Sequence, residues 1–211
     1  MTNAILTAER LLQTGAVQLS TTKPYTWSSG WKSPIYCDNR KLLSQPFTRD
    51  FIKSELCNIL FENFPDGDLV AGVATAGIPW GAMVADQLKL PFIYVRPKPK
   101  EHGMGNQIEG MYETGQKAVI IEDLISTGKS SLLVANVLIN QGVEVVGILS
   151  IFNYGFDSTE VEFKRAGIQL LSLTNYDALL SLSLQKEMIL KEQHEILLRW
   201  KEDPANWTGV F

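Results

Sequence analysis

Two adjacent carboxylates, Glu122 and Asp123, close the apolar run Val119-Ile120-Ile121 and are followed by Leu124, Ile125 and the hydroxyl-rich turn Ser126-Thr127-Gly128-Lys129-Ser130. Carboxylates accept hydrogen bonds from vicinal hydroxyls, and a glycine turn of this kind cradles a phosphate. Behind it, Leu132, Leu133, Val134, Val137, Leu138 and Ile139 recur at helical spacing, so the turn opens a helix. The unpaired N–H groups and positive dipole end of that helix attract an anion, to which Ser126, Thr127 and Ser130 can add hydroxyl donors. The ligand this pattern suits carries a diol near a single phosphate, as a ribose 5-phosphate does. Gly128-Lys129-Ser130 is also the tail of a nucleotide P-loop, G-x-x-x-x-G-K-[ST]. The leading glycine of that motif falls on Asp123, where a carboxylate would repel a triphosphate. A plain strand-to-helix turn with an exposed acidic pair has the same local pattern, and the motif alone leaves both readings open.

A second chemistry-bearing stretch is cationic. Arg96, Lys98, Lys100 and His102 form the densest positive patch of a chain that is acidic elsewhere, with Gly103 and Gly105 just behind. Such a loop, hinged at glycines, can close on a pyrophosphate and neutralise charge as it departs. The bland alternative is a solvated charge run. A third stretch, Val73-Ala74-Thr75-Ala76-Gly77-Ile78-Pro79-Trp80-Gly81, places small residues at a strand end and a proline in the first helical turn. Small residues there allow a ligand to approach backbone, or simply allow a helix to pack closely on a sheet. His194, the other histidine, lies in a charged helical stretch and reads as a surface residue.

The elements that must position these groups alternate. Leu69 to Val73, Phe92 to Val95, Ala118 to Ile121, Val145 to Ile151 and Ile168 to Leu173 are short apolar runs, and Arg49 to Phe64, Pro79 to Leu88 and Gly128 to Gln141 have helical spacing. Such alternation predicts an α/β fold with a mostly parallel sheet flanked by helices, with ligands beyond the carboxyl ends of the strands. Pro97 to Gln116 reads as a long loop, a length that usually signals a lid or binding element. With 211 residues, 45% hydrophobic and 20% charged, the chain can bury one good core. A net charge of −4 argues against broad adhesion to nucleic acid or anionic membrane. Two cysteines fit neither a disulfide framework nor a cysteine zinc site, and no apolar stretch reaches membrane-spanning length. The expectation is a cytoplasmic protein.

The segment 119–130 resembles the phosphoribosyl-pyrophosphate motif of the type I phosphoribosyltransferases. Three further segments, Tyr25 to Arg40, Val73 to Gly81 and Arg96 to Gly103, are similar in order and spacing to the orotate phosphoribosyltransferases. The resemblance implies a single domain over 1–211, with a core over about 41–167 and a small hood from about 1–40 plus part of 168–211. It implies transfer of the 5-phosphoribosyl group from 5-phosphoribosyl 1-pyrophosphate to orotate, with Mg²⁺ held mainly by substrate and water. It assigns Glu122, Asp123, Lys100 and His102 to catalysis. Substrate binding falls to Arg96, Lys100 and His102, to the run Glu122, Asp123, Leu124, Ile125, Ser126, Thr127, Gly128, Lys129 and Ser130, with Ser126 also meeting orotate, and to Thr75, Ala76 and Gly77. It implies a homodimer whose cationic loop reaches the neighbouring active site. Two departures stand out. Many relatives have a lysine where this chain has Ser28. Relatives often place an orotate-pairing arginine after the fourth strand, where this chain reads Ile151-Phe152-Asn153-Tyr154-Gly155. Orotate recognition then leans on backbone donors, Ser126 and the N-terminal segment. A phosphoribosyltransferase for another base, or a regulator that senses the donor without turning it over, remains an alternative.

Overall fold

The computed structural model describes residues 3–20, 22–27, 29–98 and 106–208. Six strands form the central sheet: β5 (Leu69–Val73), β6 (Phe92–Val95), β7 (Ile108–Glu109), β8 (Lys117–Ile125), β9 (Glu144–Asn153) and β10 (Leu170–Asn175). Their order is β10-β9-β8-β5-β6-β7, and every pairing is parallel except β6 with β7. Parallel strands covered on both faces need apolar side chains on both, and all five residues of β5 are buried.

The two faces have separate cores. On one, Val70, Val119, Ile121, Leu149 and Ile151 meet Ile52 and Leu56 of α2 (Pro46–Asn63) and Trp80 and Val84 of α3 (Gly77–Leu88). On the other, Leu69, Ala71, Ala118, Ile120 and Ile148 meet Val134, Ala135 and Leu138 of α4 (Lys129–Asn140) and Phe163 of α5 (Asp157–Ala166). The alternation along each strand sends neighbouring residues to opposite cores.

Chain order reverses between β5 and β8: the chain moves outward from β5 to β6, returns to β8 on the far side, and continues to β9. The crevice beyond the carboxyl ends at such a reversal is where α/β sheets hold ligands. It is kept tight by glycine. A Cβ on Gly77, the first residue of α3, would collide with the carbonyl oxygen of Ile121 in β8. Gly77 is therefore small because helix packs on strand immediately before the acid pair.

The N-terminal segment supplies α1 (Asn3–Gln13) and two short antiparallel pairs, β1 (Val17–Leu19) with β4 (Ile35–Cys37), and β2 (Tyr25–Thr26) with β3 (Lys32–Ser33). A 3₁₀ turn, Asn39–Ser44, leads into α2, whose first residue is Pro46, a position where the missing N–H costs nothing. At the other end follow α6 (Tyr176–Gln185) and α7 (Lys191–Glu202). Helix α1 packs on β10 and α6, and Trp200 Nε1 of α7 donates to the Lys32 carbonyl at 3.1 Å. Both terminal segments thus meet above the β9–β10 edge. Among the described residues no helix is long and apolar enough to cross a membrane.

The structure corrects two sequence boundaries. Strand β8 runs through Glu122, Asp123, Leu124 and Ile125 rather than ending at Ile121, because β9 offers partners as far as Ile125↔Asn153. The stretch 97–116 is not one loop: β7 returns alongside β6, and Ile108 is buried in the second core.

Gly77→Ala should lower the unfolding free energy by about 1–3 kcal/mol, the usual cost of overpacking. Urea denaturation checks this, and an unshifted midpoint would show that α3 can move off β8 freely.

Candidate functional site

Because β5 stops pairing at Gly72↔Ile121 while β9 continues to Ile125, the acid pair occupies a tongue of β8 that is paired on one side only. The carbonyl oxygen of Asp123 accepts instead from Asn39 Nδ2 at 2.6 Å. Asn39 is fully buried, and it ties the N-terminal segment to the tongue across 84 residues of sequence.

Glu122 is only 5% exposed. Its Oε1 accepts from the backbone N–H of Asp123 at 3.0 Å, and its Oε2 accepts from the buried Ser131 hydroxyl of α4 at 3.4 Å. Burial pushes its carboxyl well above the usual range, and the negative charge of Asp123 adds to this. Burial also raises Asp123, against the hydrogen bond it receives from Glu122. Both effects favour retention of a proton by the pair as a unit.

The turn after β8 is fixed from two directions. Gly128 has φ +69°, and a Cβ there would collide with the Phe163 ring, so glycine is required both by backbone and by space. The hydroxyl of Thr159 on α5, itself buried, donates to the Ser126 carbonyl at 2.7 Å. The N–H groups that open α4 receive no side-chain cap from Gly128, which is the arrangement an anion can satisfy.

A cavity of 810 Å³ lies above this tongue. Leu124, Ser126, Thr127 and Lys129 border it from the β8–α4 connection. Thr26, Trp27, Ser29, Trp31, Tyr36, Cys37 and Arg40 border it from the N-terminal segment, and Tyr154 from the end of β9. One wall is aromatic. Trp27 stacks near Trp31 at a centroid distance of 6.2 Å and lies 4.9 Å from Tyr154; Tyr154 in turn stacks on Phe156 at 5.5 Å and meets Trp200 at 5.8 Å. The indole N–H of Trp27 donates to the Ile35 carbonyl, so this wall is both apolar and anchored. Burial holds the Cys37 thiol protonated, with the nearby charge of Asp123 as second cause, so it is an inert wall residue.

Not every expected residue borders this cavity. Glu122 and Asp123 lie beneath it, Asp123 close enough for its charge to act on both Cys37 and Arg40. Ile125 and Gly128 are buried in the support, while Ser130 is exposed on α4. Thr75 and Ala76 lie in the turn between β5 and α3, with the Ala74–Thr75 peptide cis, and Gly77 opens α3; none of the three borders this cavity. Arg96 follows β6, and its guanidinium approaches Glu109 of β7 at 3.8 Å. Lys100 and His102 lie outside the described residues. Asn39, Ser131 and Thr159 were not marked by sequence reasoning: Asn39 and Thr159 bond to residues 84 and 33 positions away, and Ser131 reaches Glu122 only because α4 folds back beside the end of β8. His194 donates its backbone N–H to Leu190 and takes no part in the site.

The raised carboxyl of Glu122 has a stability consequence. The folded state binds this proton more tightly than the unfolded chain does, so its contribution is present at acidic pH and is lost as pH rises above the ordinary carboxylate range. Glu122→Gln, which does not titrate, should therefore gain thermal stability relative to the parent as pH rises from about 5 to about 8. Melting temperatures at both ends test this, and a difference that does not grow with pH would contradict it.

The sequence model of the phosphoribosyl transferase domain family matches residues 54–171. An orotate phosphoribosyltransferase of Bacteroides thetaiotaomicron is 49% identical over 204 residues, covering 97% of this chain and 96% of that one. One of Listeria monocytogenes is 50% identical over 200 residues, covering 95% and 96%. Among solved structures, the orotate phosphoribosyltransferase of Aeropyrum pernix superposes with a TM-score of 0.75 at 30% identity, covering 87% of this chain and 99% of that one. With about half of its residues identical to these relatives over nearly the full length of each chain, the chain belongs to the orotate phosphoribosyltransferase family.

Proposed function

We propose that this chain transfers the 5-phosphoribosyl group from 5-phosphoribosyl 1-pyrophosphate to orotate, giving orotidine 5′-monophosphate and pyrophosphate, and that the crevice above β8 is where it does so. The observation that carries the assignment is the one-sided tongue of β8, with a paired carboxyl group at its centre and an anion-binding turn at its end.

In this reading Ser126, Thr127, Gly128, Lys129 and Ser130 hold the 5′-phosphate on the N-terminus of α4. Asp123, with Glu122 behind it, accepts hydrogen bonds from the ribose hydroxyls. Displacement at the ribose C1 develops oxocarbenium character, so a fixed carboxylate charge beside the ring lowers the barrier. Leu124 and Ile125 set the distance between sugar and phosphate grips. Thr75, Ala76 and Gly77 face the pyrophosphate across the crevice, and Arg96, Lys100 and His102 neutralise it as it leaves, Lys100 and His102 also acting in catalysis. Ser126 meets the base, whose ring lies along the aromatic wall of Trp27, Trp31 and Tyr154. The segments at about 1–40 and part of 168–211 serve as a hood over the crevice.

Among the described residues no group of three or more His, Cys, Asp or Glu is arranged to hold a metal. With both Glu122 oxygens already hydrogen-bonded inside the protein, a Mg²⁺ would be held mainly by pyrophosphate, ribose oxygens and water. Such an ion supplies charge neutralisation at the leaving group. Two copies form the working unit, with the cationic loop shared between them; exposed Phe47 and Phe61, roughly four turns apart along α2, support a surface for self-association. The free cysteines Cys37 and Cys57 suit a reducing cytoplasm, and the net charge of −4 agrees with partners that are small molecules rather than nucleic acid.

Loss of orotate absorbance on mixing with the donor and Mg²⁺ tests the reaction directly. Asp123→Asn should keep the fold, by circular dichroism and melting temperature, while lowering turnover on the order of 10²-fold or more; an unimpaired rate would remove Asp123 from the chemistry. Chelation by EDTA should abolish turnover and excess Mg²⁺ restore it, whereas full activity in EDTA would exclude the divalent ion.

A further inference from the structure

We propose that Arg40 determines base specificity by pairing with the carboxylate of orotate, in place of the arginine that this chain lacks after β9. The inference rests on the reaction assigned above and names a residue which that assignment leaves out. A ring bearing a carboxylate needs a cation with directed donors at the cavity wall. The position after β9 offers Tyr154, a ring face with no charge. Among the described residues two cations border the cavity, Arg40 and Lys129. Lys129 opens α4 inside the turn that the assignment gives to the 5′-phosphate. The other lysines nearest Arg40 in sequence do not line the cavity: Lys32 Nζ is held on Thr26 Oγ1 at its rim at 2.8 Å, and Lys41 Nζ donates to the Gly15 carbonyl at 3.0 Å.

Arg40 is prepared for the task. Its Nε donates to Asp38 Oδ1 at 2.6 Å, and the same oxygen accepts the Arg40 backbone N–H at 3.3 Å, so Asp38 clamps the root of the guanidinium. The side chain is nevertheless 63% exposed, and its Nη groups have no partner among the described residues. Pairing with Asp38 reduces the long-range field of Arg40, so discrimination comes from the two directed N–H donors at its tip. Asn39, the adjacent residue, is bonded to the Asp123 carbonyl, which fixes Arg40 relative to the sugar end of the site. Beside it Trp27, Trp31, Tyr36 and Tyr154 provide the faces for a flat ring.

The test compares the product nucleotide with one that differs only in lacking the carboxylate. Affinities of orotidine 5′-monophosphate and uridine 5′-monophosphate are read from quenching of tryptophan fluorescence in the parent protein, Arg40→Gln and Arg40→Lys, alongside KM for orotate and for the donor. Arg40→Gln should weaken orotidine 5′-monophosphate about 10- to 100-fold, raise KM for orotate similarly, and leave uridine 5′-monophosphate and the donor within about twofold. Arg40→Lys, which keeps charge but not the fork, should fall between. If Arg40→Gln shifts the melting temperature, the lysine variant carries the comparison. Equal loss for both nucleotides, no loss for either, or a rise confined to the donor's KM would overturn the proposal. A parent protein that does not consume orotate would overturn the reaction assignment and this inference with it, a result distinct from an active parent and an unaffected variant.

Discussion

Strand β8 outruns its inner neighbour, and most of the site follows from that mismatch. A parallel strand buried on both sides has its backbone fully taken up by its neighbours. Where β5 turns away at Val73 and β9 does not, four residues of β8 are left with a ladder on one side only. The open side is the crevice at the switch point. The open backbone has to be answered, and Asn39 answers it at Asp123, which brings the N-terminal segment over the sheet. The acid pair, the anion-binding turn and the segment above them are thus consequences of one difference in strand length.

The carboxyl pair shows why burial belongs in the description of such a site. A solvated Glu122 would bring a second full negative charge to the crevice. Buried against Ser131 and Asp123, its carboxyl is pushed toward the neutral form and serves as a holder. Asp123 is then oriented from both ends, by Glu122 on its own strand and by Asn39 from the 3₁₀ turn. Preorganised charge of this kind acts without waiting for solvent or side chains to rearrange.

The central sheet was legible because its strands are buried on both faces and read as apolar runs. Helices α3 and α4 were legible because their stripes recur at helical spacing. The end of β8 was not, since Glu122 and Asp123 look like a turn when strand pairing with β9 is invisible. Strand β7 was missed because two residues carry no period. Around the cavity, the contiguous stretch from 122 to 130 could be singled out by its pattern. Asn39, Ser131 and Thr159 could not, because each acts through a single hydrogen bond to a residue brought close only by the fold. The arrangement of Trp27, Trp31, Tyr154 and Trp200 into one wall likewise depends on elements that no local spacing relates.

That wall joins the two halves of the chain in time as well as in space. Strand β8 and the turn that opens α4 are complete once β9 and α5 have emerged from the ribosome. The aromatic side of the cavity is not, because Trp200 must reach the Lys32 carbonyl and close around Trp27 and Tyr154. A nascent chain that folds from its N-terminus would complete the sheet edge and its turn before the aromatic shelter, which would arrive only with α7.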